Sequence, residues 1–232
     1  QDLLLVADGI SSVSISPCPM DEWGLDALLT GSQKGLMLPP GLSFNAVSTK
    51  AMAASEQGGM PRSYWDWREM KASNASGYFP YTPATNLLFG LNEAIAMLHD
   101  EGLENVFARH ARHGAATRAA VRHWGLEVLC RRQGQESGVL TAVLMPEGHS
   151  ADAFRKTALR HYDISLGNGL SKVADKVFRI GHLGDFNDLT LAGTLTGVEL
   201  GLRKAGVPHR DGGLDAALKV LDDMPAPGIA AE

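Results

Sequence analysis

Leu3-Leu4-Leu5-Val6-Ala7-Asp8-Gly9, followed by Ala27-Leu28-Leu29-Thr30-Gly31-Ser32-Gln33-Lys34-Gly35, decides the fold of this chain. Both stretches carry a short apolar run that gives way to small or polar residues, the pattern of buried strands in an α/β sheet. The first run delivers a carboxylate, Asp8, at its tip. The second ends in a small-residue turn that presents an amine, Lys34, 26 residues further on. The consecutive apolar residues ahead of Asp8 predict a buried acid rather than a surface turn. Ile10, two residues on, points to the same side of an extended chain.

Outward from this pair, Ser12–Ile15 is predicted as a further strand. Leu42–Ser48 is expected to pair after the Pro39-Pro40-Gly41 turn. Lys50–Ser55 reads as a short helix, and the polar, aromatic stretch Ser63–Ser76 as a helix or covering loop. Pro80 and Pro83 fix a loop over 77–83. From Thr85 the period becomes helical, with Leu88, Leu91, Ile95 and Leu98 as an i, i+3, i+4 stripe that Gly102 would end. A long helix over 103–125 follows, with Val106, Ala111, Val121 and Trp124 as its buried face. Beyond it the pattern alternates strands at 126–131, 139–145 and 177–180 with helices at 150–162 and 188–205. Ser150 and Asn187 are the N-cap signals. The tail after Gly206, with Pro225 and Pro227, reads as a surface strap around one short helix at 214–222.

A chain of 232 residues that is 44% apolar can bury a real core. Its net charge of −5 argues against a nucleic-acid partner. Two cysteines, Cys18 and Cys130, give neither a disulfide framework nor metal-ligand spacing, and no metal is expected. No apolar run approaches the ~20 residues needed to cross a bilayer. These features predict a soluble cytoplasmic protein with free thiols.

Several stretches occur together and in order: Asp8-Gly9-Ile10-Ser11-Ser12, Gly31-Ser32-Gln33-Lys34-Gly35 with Pro39-Pro40-Gly41, Tyr81-Thr82-Pro83, Glu101-Gly102-Leu103-Glu104-Asn105 and Lys176-Val177-Phe178-Arg179-Ile180-Gly181. This set resembles the class V aminotransferases of fold type I. Met20-Asp21-Glu22-Trp23-Gly24, Pro80-Tyr81-Thr82-Pro83 and Ala108-Arg109-His110-Ala111-Arg112 are similar to the serine–glyoxylate branch of that family. The resemblance runs from residue 1 to about Leu202.

It implies an α/β architecture of two parts: the C-terminal part of a large cofactor-binding domain over 1–102 and a small α+β domain over 103–232. Most of the large domain would lie upstream, so the chain is expected to be the C-terminal portion of such an enzyme. The implied cofactor is pyridoxal 5'-phosphate. Lys34 would form the Schiff base and shuttle the proton, and Asp8 would keep the pyridine nitrogen protonated. Ile10 would pack on the ring, and Gln33 would bond its hydroxyl oxygen. Thr82 would reach the phosphate of a second subunit, so the resemblance implies a homodimer. The phosphate-binding aromatic of the family aligns with Phe79, which has no hydroxyl, and Tyr81 is the candidate in its place.

Arg179 is the expected substrate handle. Amino acids and 2-oxo acids share a carboxylate, which an Arg fork binds and orients. A charge in the apolar run Val177-Phe178-Arg179-Ile180 also needs a reason. The implied reaction is transamination between L-serine and glyoxylate. Alanine–glyoxylate exchange and a non-catalytic portion of such an enzyme are the alternatives. Gly167-Asn168-Gly169 reads as a flexible loop near the substrate. His110, His113, His123 and His161 read as surface or packing groups, and His182 as a group able to touch substrate.

Overall fold

A computed structural model describes residues 3–224, and the chain divides into two compact units, Gln1–Asp100 and Glu101–Glu232. In the first unit, β1 (Val6–Asp8), β2 (Ala27–Gly31) and β3 (Ser43–Val47) form a sheet in that order. β1 and β2 run parallel, with Asp8 opposite Leu29, and β3 returns antiparallel. The predicted strand over Ser12–Ile15 is instead a run of turns. The N–H groups of Ser12 and Val13 donate to the Gly9 carbonyl, and those of Ile15 and Ser16 to the Ser12 carbonyl. Local bonds thus consume the groups a strand ladder would need.

The predicted burial of β1 is also corrected. Leu3 to Val6 are 43% to 74% exposed, and Asp8 is exposed. Among the described residues only β2 pairs with β1, so the other edge of this apolar run is uncovered in them.

Asp26 fastens this sheet. It is buried at the foot of β2, where its carboxylate accepts from Leu5 N at 2.9 Å, Ser48 Oγ at 3.0 Å and Lys50 Nζ at 3.1 Å. Those bonds, led by the one from the Leu5 backbone, hold its carboxyl below the usual range. Ser48 in turn caps α1 (Thr49–Glu56) through the Ala51 N–H, and Asp66 caps α2 (Trp67–Ala75) through the Arg68 N–H. α3 (Thr85–Glu101) follows the predicted stripe in part: Leu98 is buried, Leu88 and Leu91 half-buried, and Ile95 exposed.

The second unit runs α4 (Leu103–His123), β4 (Glu127–Val128), β5 (Leu140–Leu144), α5 (Ala151–Tyr162), β6 (Gly167–Asn168), β7 (Val177–Gly181), α6 (Asp188–Lys204) and α7 (Gly213–Asp223). Its sheet has the order β4-β5-β7-β6 and is antiparallel throughout. Alternation puts Thr141 and Val143 of β5 opposite Ile180 and Phe178 of β7, all four buried. The Phe154 ring of α5 lies 4.6 Å from that of Phe178. Leu191, Leu195, Val198 and Leu202 recur at helical spacing along α6 and complete the core. Ser150 and Asn187 cap α5 and α6 by accepting from Ala153 N at 3.0 Å and Thr190 N at 2.9 Å.

Three expectations change here. Ala111 is exposed, because the buried stripe of α4 passes through Val106, His110, His113 and Thr117 instead. Gly167-Asn168 is an edge strand, not a flexible loop, paired with Arg179 and Phe178. The segment after Gly206 is no surface strap. Val207, Ala217 and Leu221 enter the core, and Glu199 accepts from Trp124 Nε1 at 2.7 Å and from Gly212 N and Gly213 N at 2.9 Å. Burial pushes the Glu199 carboxyl up, but these three bonds outweigh it and the net shift is downward. They also satisfy N–H groups at the start of α7. Pro225 and Pro227 lie outside the described residues.

Candidate active site

Parallel β1 and β2 end on the same side of the first sheet, so the segments that follow them share one end of it. In open α/β sheets this carboxyl end is where ligands collect. Asp8 is the last residue of β1, and its Oδ1 accepts from Ile10 N at 2.9 Å, which turns the chain sharply after the strand. Ile10 is half-buried. Lys34 lies in the turn after β2 and is half-buried, while Gln33 beside it is exposed.

Ser32 holds that turn. Its side chain is buried, with Oγ donating to Pro39 O at 2.8 Å and accepting from Leu42 N at 3.1 Å. Its backbone adds Ser32 N to Leu42 O at 3.1 Å and Leu38 N to Ser32 O at 3.0 Å. Four bonds therefore close the segment 32–42 on itself. Gly35 then lets this segment lie directly on the turn that follows Asp8. A Cβ at Gly35 would fall 2.3 Å from Val13 O and 2.9 Å from Ile15 Cγ1. The segments bearing the acid and the amine are thus locked together backbone to side chain.

The loop expected to carry Thr82 and Tyr81 belongs to the same unit. Thr82 is exposed. The Tyr81 hydroxyl already has partners, with Ser63 Oγ at 2.5 Å and Tyr64 N donating at 3.2 Å. Phe79 is exposed.

In the second unit, Arg179 sits on β7 with Ala142 and Gly167 as its cross-strand partners, on the face opposite the buried Phe178 and Ile180. Its Nε is buried and has no hydrogen-bond partner, and no ion pair engages it among the described residues. A buried cationic donor left without a partner is costly.

The histidines form a separate, buried cluster, which selects packing over the surface for His110 and His113, with His113 Nδ1 the one ring nitrogen of His110, His113 and His182 left without a partner. His110 Nδ1 donates to Val106 O at 2.7 Å, so its Nε2 is free to accept from Gly184 N at 3.1 Å. His113 Nε2 donates to Asp188 Oδ1 at 2.9 Å. His182 Nδ1 donates to Gly138 O and its Nε2 accepts from Thr141 Oγ1, both at 3.0 Å. With both nitrogens spent and no exposure, His182 does not touch substrate, contrary to the sequence expectation. Burial lowers all three imidazoles, His182 to about 4.

Arg112 makes two bonds to Asp188, at 2.6 and 2.8 Å, and donates to the Leu221 and Met224 carbonyls. Arg109 clasps Glu101 and donates to Gly184 O and Phe186 O. This face of α4 pins the segment 184–188 that follows β7. Among the described residues no group of three or more His, Cys, Asp or Glu could hold a metal, and no helix is long and apolar enough to cross a membrane. Cys18 and Cys130 are both free and half-buried.

The model of the class V aminotransferase family matches residues 1–182. The chain belongs to that family.

Serine–glyoxylate aminotransferase of Methylorubrum extorquens is 49% identical over 228 residues, which are 96% of this chain and 57% of that relative. L-aspartate–glyoxylate aminotransferase of Paracoccus denitrificans is 44% identical over 205 residues, 88% of this chain and 52% of the relative. The crystal structure of pyridoxamine–pyruvate aminotransferase from Mesorhizobium loti superposes with a TM-score of 0.89 at 32% identity, over 95% of this chain and 57% of that one. The chain thus spans little more than half the length of these proteins. Class V aminotransferases work with pyridoxal phosphate, and the residues of this chain suit that group. One sheet end brings together an acid and an amine, the two groups the cofactor's ring nitrogen and aldehyde require.

Two residues central to this arrangement carry no signal of their own in the sequence. Asp26 is one acid ahead of an apolar run, and the tie it makes from β1 to α1 depends on contacts 21 to 24 residues away. Ser32 stands out only as a small flank of Lys34, and its closure of the turn depends on where Pro39 and Leu42 return.

Proposed function

We propose that this chain carries the lysine, the ring-nitrogen acid and the carboxylate-binding arginine of a pyridoxal-phosphate aminotransferase that moves an amino group from L-serine to glyoxylate, giving hydroxypyruvate and glycine. The observation that carries the proposal is that the segments bearing Asp8 and Lys34 leave the same end of the parallel β1–β2 pair and meet at Gly35 and Val13. When bound, pyridoxal phosphate supplies an aldehyde for amines and a ring that draws electron density from the substrate Cα.

Lys34 Nζ holds the cofactor and, once displaced, takes the proton from Cα of the donor and returns it on the other side of the exchange. Asp8 offers a carboxylate to the protonated ring nitrogen, a charge-assisted bond that preserves the ring's pull. Gln33 and Ile10, which lie between the two in the chain, supply a hydrogen bond to the ring hydroxyl and an apolar contact. Arg179 takes the carboxylate common to donor and acceptor and so fixes the plane of the substrate. Thr82 and the loop around it serve the site of a second copy, which makes the working unit a homodimer. Tyr81, whose hydroxyl accepts from Tyr64 N and pairs with Ser63 Oγ, keeps its own O–H for the cofactor phosphate there when Ser63 is the donor.

The names of the serine–glyoxylate relatives support the choice of L-serine, while the aspartate-using relative keeps the donor the more variable half of the reaction. The test is amino transfer to glyoxylate in the presence of pyridoxal phosphate with L-serine, L-alanine and L-aspartate in parallel. Lys34→Ala is expected to abolish transfer while leaving the folded signal intact. Transfer that survives in Lys34→Ala refutes the proposal, and a preference for L-alanine or L-aspartate refutes its choice of donor.

A further inference from the structure

Gly167 is a glycine without a backbone reason. It lies in β6, where glycine weakens a strand, and its φ is outside the left-handed region that would demand it. Its surroundings explain it. A Cβ built on Gly167 would meet Arg179 Cβ at 3.1 Å, Arg179 Nε at 3.1 Å and Arg179 Cζ at 3.5 Å, and these are its three nearest atoms. Gly167 is the cross-strand partner of Arg179, so its substituent would project from the same face of the sheet.

The strand cannot easily retreat from that contact. Leu166, the preceding residue, is buried and its carbonyl accepts from Arg155 Nε at 2.8 Å. Gly169, two residues on, packs so closely that a Cβ there would fall 2.0 Å from Val173 O. With both flanks fixed, a methyl group at 167 would be accommodated by the Arg179 side chain. The stem of that side chain lies flat over the glycine, and its Nε is the buried donor that has no partner.

We infer that Gly167 is a positioning residue for Arg179: its missing side chain is the floor on which the guanidinium lies, and it sets the pose in which Arg179 receives a substrate carboxylate. The inference rests on the carboxylate-binding role proposed for Arg179. It separates function from stability, because Gly167→Ala relieves a strand of glycine while displacing the arginine by a few tenths of an ångström. A glycine kept only for packing would show the opposite: replacement would lower stability and leave ligand capture in the folded protein unchanged.

The test is a titration of the whole protein with glyoxylate, followed at the Arg179 Nε–H resonance in ¹⁵N-arginine-labelled protein. The resonance is assigned by its loss in Arg179→Lys, and thermal unfolding is measured in parallel. In the wild type the resonance is expected to shift saturably. In Gly167→Ala the midpoint is expected to move to about tenfold higher glyoxylate, the effect of misaligning one charge-assisted bond, with Tm unchanged or raised. Equal titrations in wild type and Gly167→Ala overturn the inference and leave the role of Arg179 standing. A wild-type resonance that does not respond overturns the role of Arg179 and the inference with it. If Gly167→Ala unfolds more readily yet binds as before, the glycine serves packing alone and the inference fails.

Discussion

Acidification should unfasten the second unit through His182. This imidazole has no exposure, gives Nδ1–H to Gly138 O and accepts at Nε2 from Thr141 Oγ1, so the neutral ring satisfies both neighbours. Burial, and after it the positive charge of Arg118, lowers its pKa from 6.5 to about 4. His113 acts in the same sense, and hydrogen bonding to the Gly138 carbonyl opposes it only in part. The folded form therefore binds the proton less readily than the unfolded chain. Between pH 6.5 and 4 unfolding takes up a proton, so stability present in full above pH 6.5 is lost as pH falls through that window. A shift of this size corresponds to about 3 kcal/mol for His182 alone. His110 and His113 shift the same way and add to it.

The assay is urea unfolding at pH 7 and pH 4, read from the buried Trp124 after Trp23, Trp65 and Trp67 are replaced by Phe. The comparison is with His182→Asn, which keeps a donor for Gly138 and cannot titrate. Asp188 and Asp26 begin to release stability only at the acid end of this range, equally in both proteins, and so cancel. The wild type should lose about 3 kcal/mol more than the variant over the interval. Equal losses in the two proteins would refute the buried neutral imidazole.

Other consequences follow from the same contacts. Ser32→Ala leaves Leu42 N–H and Pro39 C=O short of a partner in a part-buried turn. It should cost about 1–3 kcal/mol, measured by denaturant titration, with faster amide exchange at Leu42 than in the wild type. Gly213→Ala would place a Cβ 2.1 Å from Trp124 Nε1 and break the Glu199 cluster. It should destabilise by about 1–3 kcal/mol and shift Trp124 emission to the red, and an unchanged spectrum would argue against that contact. Arg112→Met removes both bonds to Asp188 and those to the Leu221 and Met224 carbonyls. Protease cleavage near the end of α7 should then rise well before global unfolding.

Sequence periodicity was enough to place β2, β3, β5, β7 and the long helices, because a period of two or of 3.6 residues is a property of neighbours in the chain. Ser150 and Asn187 were legible as caps for the same reason: a cap is satisfied three residues away. Long-range packing was not legible. The apolar residues before Asp8 suit a covered strand, yet the number of strands beside β1 is a property of topology. The polar stripe of α4, with His110, Arg112 and His113, looks like a solvated face until Asp188, Gly184 and Leu221 are brought to it from more than seventy residues away. The candidate site divides in the same way. Asp8 and Arg179 stood out as charges at the end of or inside apolar runs, and Lys34 as the amine in the small-residue turn after one. Ser32 and Gly167 act on Lys34 and Arg179 through contacts that only the folded chain makes.

The central claim is that the turn after β2 presents Lys34 as the amine for pyridoxal phosphate. The most direct measurement is incubation of the protein with pyridoxal phosphate, reduction with borohydride, and peptide mapping of the pyridoxyl group by mass spectrometry. One modified peptide is expected, carrying the label on Lys34, and it is lost when L-serine is added before reduction. Label spread over exposed lysines such as Lys50 and Lys71, with Lys34 unmodified, would contradict that claim.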